Sequence, residues 1–343
     1  MRILITGGAG LVGAPISERF ASLGWDVRVI GVDAECALPG VEYVQCDIRD
    51  VDSLAGQVAG CDAIVHLAAI PSTRTHPNET LFDINVAGTY SVFESAARAG
   101  VKRVVQASSI NAIGGFWGND DRQYAYFPFD EDLPLYTTDA YSLSKQLVEE
   151  IAEYYWRRAG ISSVSFRLPA VWNDAVIAGR NLREHLKTRV RQLDAFRRLP
   201  ECEQVARLAA AREQALALRA RHVMEYEALK QGVFEREAPK DDWLFDAWFY
   251  DRFNFWTFIH TDDSTQAFER AVTADYQGAH PLFVNSDQNS LEYETEALLA
   301  LFWPKVTRRS KALIGAESPV NIARARDLLG FEPRVRTILG NSR

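Results

Sequence analysis

The chain has 343 residues, of which 47% are hydrophobic and 24% charged, and a formal net charge of −8. That length accommodates two domains, or one large α/β domain with a smaller companion, and the composition excludes disordered, collagen-like and coiled-coil classes. The acidic balance argues against a nucleic-acid partner or an anionic membrane surface, because neither phosphate field attracts it.

Met1-Arg2 leads at once into Ile3-Leu-Ile-Thr6 and a glycine cluster, too short an apolar run for a secretory signal. No stretch approaches the roughly 20 apolar residues that a membrane helix needs. Cys36, Cys46, Cys61 and Cys202 are scattered, without metal-ligand spacing. The expectation is a cytoplasmic protein with reduced thiols and no metal site.

In chain order, short β-branched runs predict strands at Arg2–Thr6, Val27–Val32, Val41–Cys46, Ala63–Leu67, Arg103–Ser108 and Ser163–Leu168. Between them, amphipathic patterns predict helices such as Ala14–Leu23, Val86–Ala99 and Ser142–Arg158. Strands separated by helix-length crossovers imply βαβ units, hence a parallel sheet covered on both faces. The apolar run Ala63-Ile-Val-His-Leu-Ala-Ala69 fits a strand buried on both sides.

Composition changes after Trp172. From Arg180 to Gln231 the only proline or glycine is Pro200, and Leu182, Leu186, Val190, Leu193, Phe196 and Leu199 recur at helical spacing. We expect two long helices joined near Pro200, the second running to Gln231, as a solvated hairpin with salt-bridged faces, a lid or an oligomer contact. The segment Trp243–Trp256 then packs eight aromatics into fourteen residues, the pattern of a core or, in part, of a sugar-binding wall. The expected division is 1–172 and 173–343, the latter containing the insertion 180–231, with some late segments free to return to the first unit.

The strongest local signal is Thr6-Gly-Gly-Ala-Gly-Leu-Val-Gly13, placed between a strand and a helix. Gly7, Gly10 and Gly13 permit a tight turn, a close approach to a pyrophosphate and close helix–strand packing, above a helix N-terminus that attracts anions. Asp33 stands twenty residues beyond Gly13, where an acid accepts from ribose hydroxyls. With Glu35 nearby and no basic residue in Gly31–Glu35, a 2′-phosphate is repelled and NAD is favoured over NADP. Asp47 suits either the adenine edge or a turn.

Ser108-Ser109 ends the fifth strand, and Tyr141-Ser-Leu-Ser-Lys145 opens a helix about thirty residues later. Tyr and Lys at i, i+4 share a helical face. An ammonium beside the phenol, with a positive nicotinamide, is expected to lower its pKa towards a useful range, while the serine holds the reacting oxygen. Tyr226-Glu-Ala-Leu-Lys230 repeats the spacing inside the helical insertion, with no strand-end serine before it, and reads as helix surface. His66 reads as a structural hydrogen-bonding residue and Asp262-Asp263 as a helix cap.

These pieces resemble the extended short-chain dehydrogenases/reductases of the NAD-dependent epimerase/dehydratase family. The likeness covers nearly all of 1–172 and returns at 256–334. It is carried by TGGAGLVG, His66-Leu-Ala-Ala69, Asn85-Val-Ala-Gly-Thr89, Ser108-Ser109, Tyr141/Lys145, Arg167-Leu-Pro and Phe258-Ile-His-Thr-Asp-Asp263.

The resemblance implies a Rossmann-type doubly wound sheet with a smaller C-terminal substrate domain. It implies Tyr141 as general acid/base, Lys145 as ribose ligand and tuner, and Ser109 as holder of the reacting hydroxyl. It implies a cofactor lining of Gly7, Gly10, Leu11, Val12, Gly13, Asp33, Asp47, Ile48, Leu67, Ala68, Ala69, Asn85, Ser108, Tyr141, Lys145 and Pro169. Ser72, Asn111, Trp172, Arg180 and Trp256 are the candidates on the substrate side. A homodimer through the helices near 86–99 and 142–158 is also implied.

Four departures bear on the substrate. Gly31 stands where relatives carry an acid, Ala170 where a substrate-phosphate Asn is common, and Ile113 where a tyrosine is usual, while the 180–231 helices are long. The expected activity is NAD-dependent oxidation of a secondary alcohol of a sugar or sugar nucleotide, of the epimerase/dehydratase type. The alternatives are a dehydrogenase of a free sugar or sugar acid that releases NADH, and a non-catalytic NAD-binding scaffold.

Overall fold

The computed structural model describes residues 1–114, 117 and 121–340. Seven parallel strands, β1 (Arg2–Thr6), β2 (Asp26–Gly31), β3 (Glu42–Gln45), β4 (Ala63–His66), β5 (Arg103–Ala107), β6 (Ser162–Arg167) and a later Ala279–Phe283, form one sheet. A short parallel pair, β7 (Ala170–Trp172) and β8 (Phe258–His260), stands apart from it. With Ala279–Phe283 as β9, the sheet order is β3-β2-β1-β4-β5-β6-β9. This is the doubly wound order expected from the alternating pattern.

Period-two burial explains the sheet. Leu4, Ile30, Ile64 and Val104 face one apolar layer with Leu54, Phe93 and Tyr155. Their neighbours Ile3, Ile5, Val65 and Val105 face the other, with Ile16, Phe20 and Phe268. Strands covered on both faces read as continuous apolar runs, and each fully buried side chain of this size contributes about 1.5–3 kcal/mol.

Several boundaries differ from the sequence pattern. The predicted helix Val86–Ala99 is Gly88–Ala99, preceded by a π-helical turn at Asp83–Ala87, and the helix expected at Ser142–Arg158 runs from Ala140 to Ala159. Strand β9 escapes the pattern because Ala-His-Pro-Leu-Phe neither alternates nor clusters β-branched residues. It pairs with β6, so a segment far beyond residue 172 completes the sheet.

The insertion begins as expected with Leu182–Arg197 and Glu201–Arg221, Pro200 preceding the second helix. That helix ends at Arg221 rather than Gln231. Helices Glu225–Lys230 and Val233–Glu237 follow, turned by Gly232 at φ +62°. Leu186, Leu193, Phe196, Ala211, Ala215 and Leu218 are buried in one cluster with Phe245, Trp248 and Phe249 of the helix Trp243–Phe249. The aromatic segment is thus the core beneath the insertion.

The expected Asp262-Asp263 cap is corrected. His260 precedes the helix Thr261–Thr273 and accepts from the Asp262 amide, while the Asp263 carboxylate takes the Arg334 and Val335 amides, each at 2.9 Å. Among the described residues no helix is long and apolar enough to cross a membrane.

Candidate active site

The turn after β1 crosses the start of the chain beyond β4. Gly7 holds φ +67°, and a Cβ there would stand 2.7 Å from the Ala68 amide nitrogen. The helix Gly13–Ser22 that follows has no side-chain cap and no acid in its first turn, leaving donors for an anion.

Beside this turn lies a cavity of about 650 Å³. Gly7, Gly10, Asp33, Asp47, Ile48, Leu67, Ala68 and Ala69 all line it. It opens where the C-terminal ends of β1, β2 and β4 meet, the position at which such sheets bind dinucleotides. Its apolar wall, glycine crossing and acidic rim fit an adenosine with a pyrophosphate. Leu11 is exposed and Val12 half-buried at the helix start. Pro169 is buried between β6 and β7.

Two expected lining residues face elsewhere. Asn85 is 1% exposed, and its amide is spent on both backbone groups of Ile70 and on Ser144 Oγ, so it supports the wall from behind. Ser108 donates to Glu149 Oε1 at 2.6 Å, in the packed interior. Asp47 is a turn residue, accepting from the Arg49 amide and side chain, and the Arg49 guanidinium holds its carboxyl below the usual range. Asp33 is exposed on a loop pinned by Tyr43 Oη and Gln45 Nε2, which donate to the Asp33 and Val32 carbonyls. At Gly31 a Cβ would meet Tyr43 Oη at 3.1 Å, so the tyrosine hydroxyl crowds the space that a side chain there would enter.

A buried relay sets the wall. Thr89 Oγ1 donates to the Asn85 carbonyl, so it accepts from His66 Nε2, and His66 Nδ1 accepts from Thr6 Oγ1. Thr6 Oγ1 in turn accepts from the Leu67 and Ala68 amides. Burial, with a smaller contribution from Lys145, pushes His66 down to about 3. A group neutral in the fold but protonated when unfolded stabilises fully above about 6.5 and loses that contribution as pH falls towards 3. Urea midpoints should therefore drop across this window, and His66→Asn should flatten the slope by about one proton. An unchanged slope would remove His66 from the account.

The catalytic candidates converge at the ends of β5 and the helix Ala140–Ala159. Gly114, at φ +84°, leaves room for the Tyr136–Thr137 backbone, which no Cβ would allow. That crossing brings the helix start against Ser109. The Ser109 side chain, which accepts from the Asn111 amide, lies close enough to the Tyr141 phenol to favour its ionised form. Lys145 lies one turn on, its Nζ 5.9 Å from the Tyr141 ring centre and donating to the Ala107 carbonyl at 2.8 Å.

The electrostatics differ from expectation. Burial, reinforced by Asp139 and opposed by Ser109, pushes the Tyr141 phenol up to about 12. Burial brings Lys145 down to about 8 against the pull of Glu149. Lys145 directs a donor to the Ala107 carbonyl, and the lowering by Ser109 does not overcome burial.

On the substrate side, Asn111 follows Ser109, and Trp172 stacks on Phe258 with ring centres 5.3 Å apart. Ser72 accepts from the Arg74 amide, and Arg180 is exposed at the end of the helix Asp174–Gly179. Trp256 is corrected from a pocket candidate to a core residue, 5% exposed against Phe302 and Trp303. The second motif repeats the spacing, with Lys230 Nζ 5.6 Å from the Tyr226 ring. Sequence reasoning missed Asp139 and Glu149. The first had a legible signal, an N-cap acid just ahead of the helix.

A glycine crossing above an uncapped helix, at the ends of parallel strands in this order, defines the class of Rossmann-type dinucleotide-binding folds. Residues 3–172 match the model of the NAD dependent epimerase/dehydratase family. That segment, just under half of the chain, is what the likeness to this family covers.

It is 34% identical over 169 residues to uronate dehydrogenase of Pseudomonas putida, covering 49% of this chain and 60% of the relative. It is 30% identical over 180 residues to a putative UDP-glucose 4-epimerase of Methanocaldococcus jannaschii, covering 50% and 56%. The chain thus spans somewhat under two thirds of the curated relatives it matches. MoeE5, solved with UDP-glucuronic acid and NAD, shares the fold over 98% of both chains, at TM-score 0.59 and 17% identity.

Proposed function

We propose that this protein binds NAD in the cleft beside Gly7–Gly13 and oxidises a secondary alcohol of a sugar or sugar nucleotide. What supports the reading is Ser109 beside the Tyr141 phenol with Lys145 one turn on, at the end of β5, the neighbour of the strand β4 whose end lines that cleft. Gly7, Gly10, Ile48 and Leu67–Ala69 would hold the cofactor, and Asp33 its adenosine ribose. When bound, NAD supplies a hydride acceptor and a positive charge.

Ser109 would hold the substrate hydroxyl and Tyr141 would take its proton. With the phenol pushed up to about 12 by the surrounding chain, this base depends on cationic help. Lys145, partly charged near pH 8, is the protein's share of it. Ser109→Ala removes the side chain that favours the tyrosinate, so the phenol rises further. The limb on which kcat rises with pH should then move to higher pH, with a rate loss of about 10²-fold. A limb that stays in place would separate Ser109 from Tyr141.

Between the two fates of the hydride, the uronate dehydrogenases among the relatives favour release of NADH from a free sugar acid. Ala170 agrees, since its amide is taken by Asn254 Oδ1 at the place where relatives carry a phosphate-binding Asn. The deciding experiment offers hexuronates, aldoses and UDP-sugars to the purified protein with NAD. Stoichiometric NADH with a free uronate supports the dehydrogenase. Isomerised sugar with NAD retained supports the epimerase. Binding of NAD without turnover on the whole panel overturns both and leaves the scaffold.

Residues 1–172 with β9 form the cofactor side in this reading, and the remainder forms the substrate side. A cytoplasmic homodimer completes it. The helices Gly88–Ala99 and Ala140–Ala159 would pair, through an outer surface that includes the exposed Tyr90, Leu143 and Tyr154.

A further inference from the structure

The insertion touches the helix that carries Tyr141, and it does so through a carboxylate. Glu225, the first residue of the helix Glu225–Lys230, is 3% exposed. Its Oε1 accepts from the Ala140 amide at 3.2 Å, 85 residues away in sequence. Burying a carboxylate costs several kcal/mol unless hydrogen bonds offset it, and this one is aimed at a backbone donor. Ala140 is the first residue of its helix, where amides lack intrahelical partners and attract negative charge.

We propose that Glu225 is a positioning residue for Tyr141, fixing from the insertion the first turn of the helix that holds the phenol. The proposal rests on the role given to Tyr141 above. Asp139 takes the Ser142 amide at 2.8 Å and its hydroxyl at 2.6 Å, while Glu225 takes the Ala140 amide. The amides these carboxylates take, Ala140 and Ser142, flank Tyr141 in sequence, and Ser144 Oγ, held by Asn85, donates to the Tyr141 carbonyl. The residue is thus fastened from before, behind and across the chain.

The arrangement also has a charge balance. Asp139 is faced by the Glu225 carboxylate, the Tyr141 phenol, the Trp117 and Ser142 donors and, from the helix Glu201–Arg221, the Arg219 guanidinium. Arg219 is 1% exposed and lies over the Phe253 and Phe249 rings at 4.3 and 4.7 Å. The insertion therefore brings both the like charge and the opposite charge to this cap. Burial, with Glu225 adding to it, sets Asp139 at about 6. Protonation below that pH weakens the cap and should slow turnover. Removing the Glu225 charge lowers Asp139 and moves the acid limb of kcat to lower pH.

The test compares Glu225→Ala with Glu225→Gln in the full chain, reading amide hydrogen exchange over 139–144, NAD affinity and kcat against pH. Glu225→Ala should speed exchange there and lower kcat about tenfold with NAD affinity unchanged, as a misplaced catalytic group does. Glu225→Gln keeps the acceptor, so it should restore exchange and kcat at neutral pH while shifting the acid limb downwards. Wild-type exchange in Glu225→Ala overturns the proposal. So does faster exchange with undiminished kcat, or loss of NAD affinity in both variants, which marks general collapse. A wild type inactive on every sugar counts against the proposed function instead, and exchange alone then decides the clamp.

Discussion

Tyr141→Phe should lower kcat by about 10²–10⁴-fold, the range that a positioned acid/base contributes, while NAD affinity stays within a factor of two. The variant deletes one oxygen and keeps the ring. Lys145 keeps its bond to the Ala107 carbonyl, and the wall from Leu67 to Ile70 is held independently by Thr6 and Asn85. Binding and turnover should therefore separate, as steady-state kinetics beside NAD titration will show. Equal loss of both would mean that Tyr141 builds the cleft and does not act on substrate. Undiminished turnover would remove it from the chemistry.

Glu149→Ala is expected to cost about 3–5 kcal/mol of stability, because it strands a buried guanidinium. Arg167 and Glu149 are 2% and 8% exposed, joined by two hydrogen bonds at 2.8 and 3.0 Å. Ser108 would lose its acceptor in the same stroke. Lys145, already brought down to about 8 by burial, would lose the charge that holds it up. The surviving activity should then fall at lower pH than in the wild type, because the ammonium deprotonates sooner. Replacing both partners with Glu149→Leu and Arg167→Met should recover most of the stability without restoring the pH profile. Urea unfolding and kcat–pH curves measure the two halves. A single variant as stable as wild type would show the pair to be idle.

Much of the site was readable before any fold was known. The glycine turn, the strand-end Ser108-Ser109 and the Tyr141/Lys145 spacing are local, each written within a few residues of a strand end or helix start. The same locality explains the errors. Periodicity carried the second insertion helix on to Gln231, although it ends at Arg221, since a helical pattern does not say where the chain turns back. Trp256 looked like a pocket wall because aromatic side chains read alike in a core and in a sugar site. Asn85 and Ser108 sit in the right motifs, yet their polar groups are consumed by Ile70, Ser144 and Glu149. No window of sequence states which partner is within reach.

The sequence by itself determined the parallel sheet, the dinucleotide turn and the helical face shared by a phenol and an ammonium, because these follow from side-chain period and glycine geometry over short spans. Only the tertiary structure decided that β9 returns to close the sheet, that burial raises Tyr141, and that Glu225 reaches the helix it does. Those outcomes depend on which distant surfaces exclude water together. Dielectric environment and hydrogen-bond partners belong to the packed arrangement, whereas propensity and period belong to the chain.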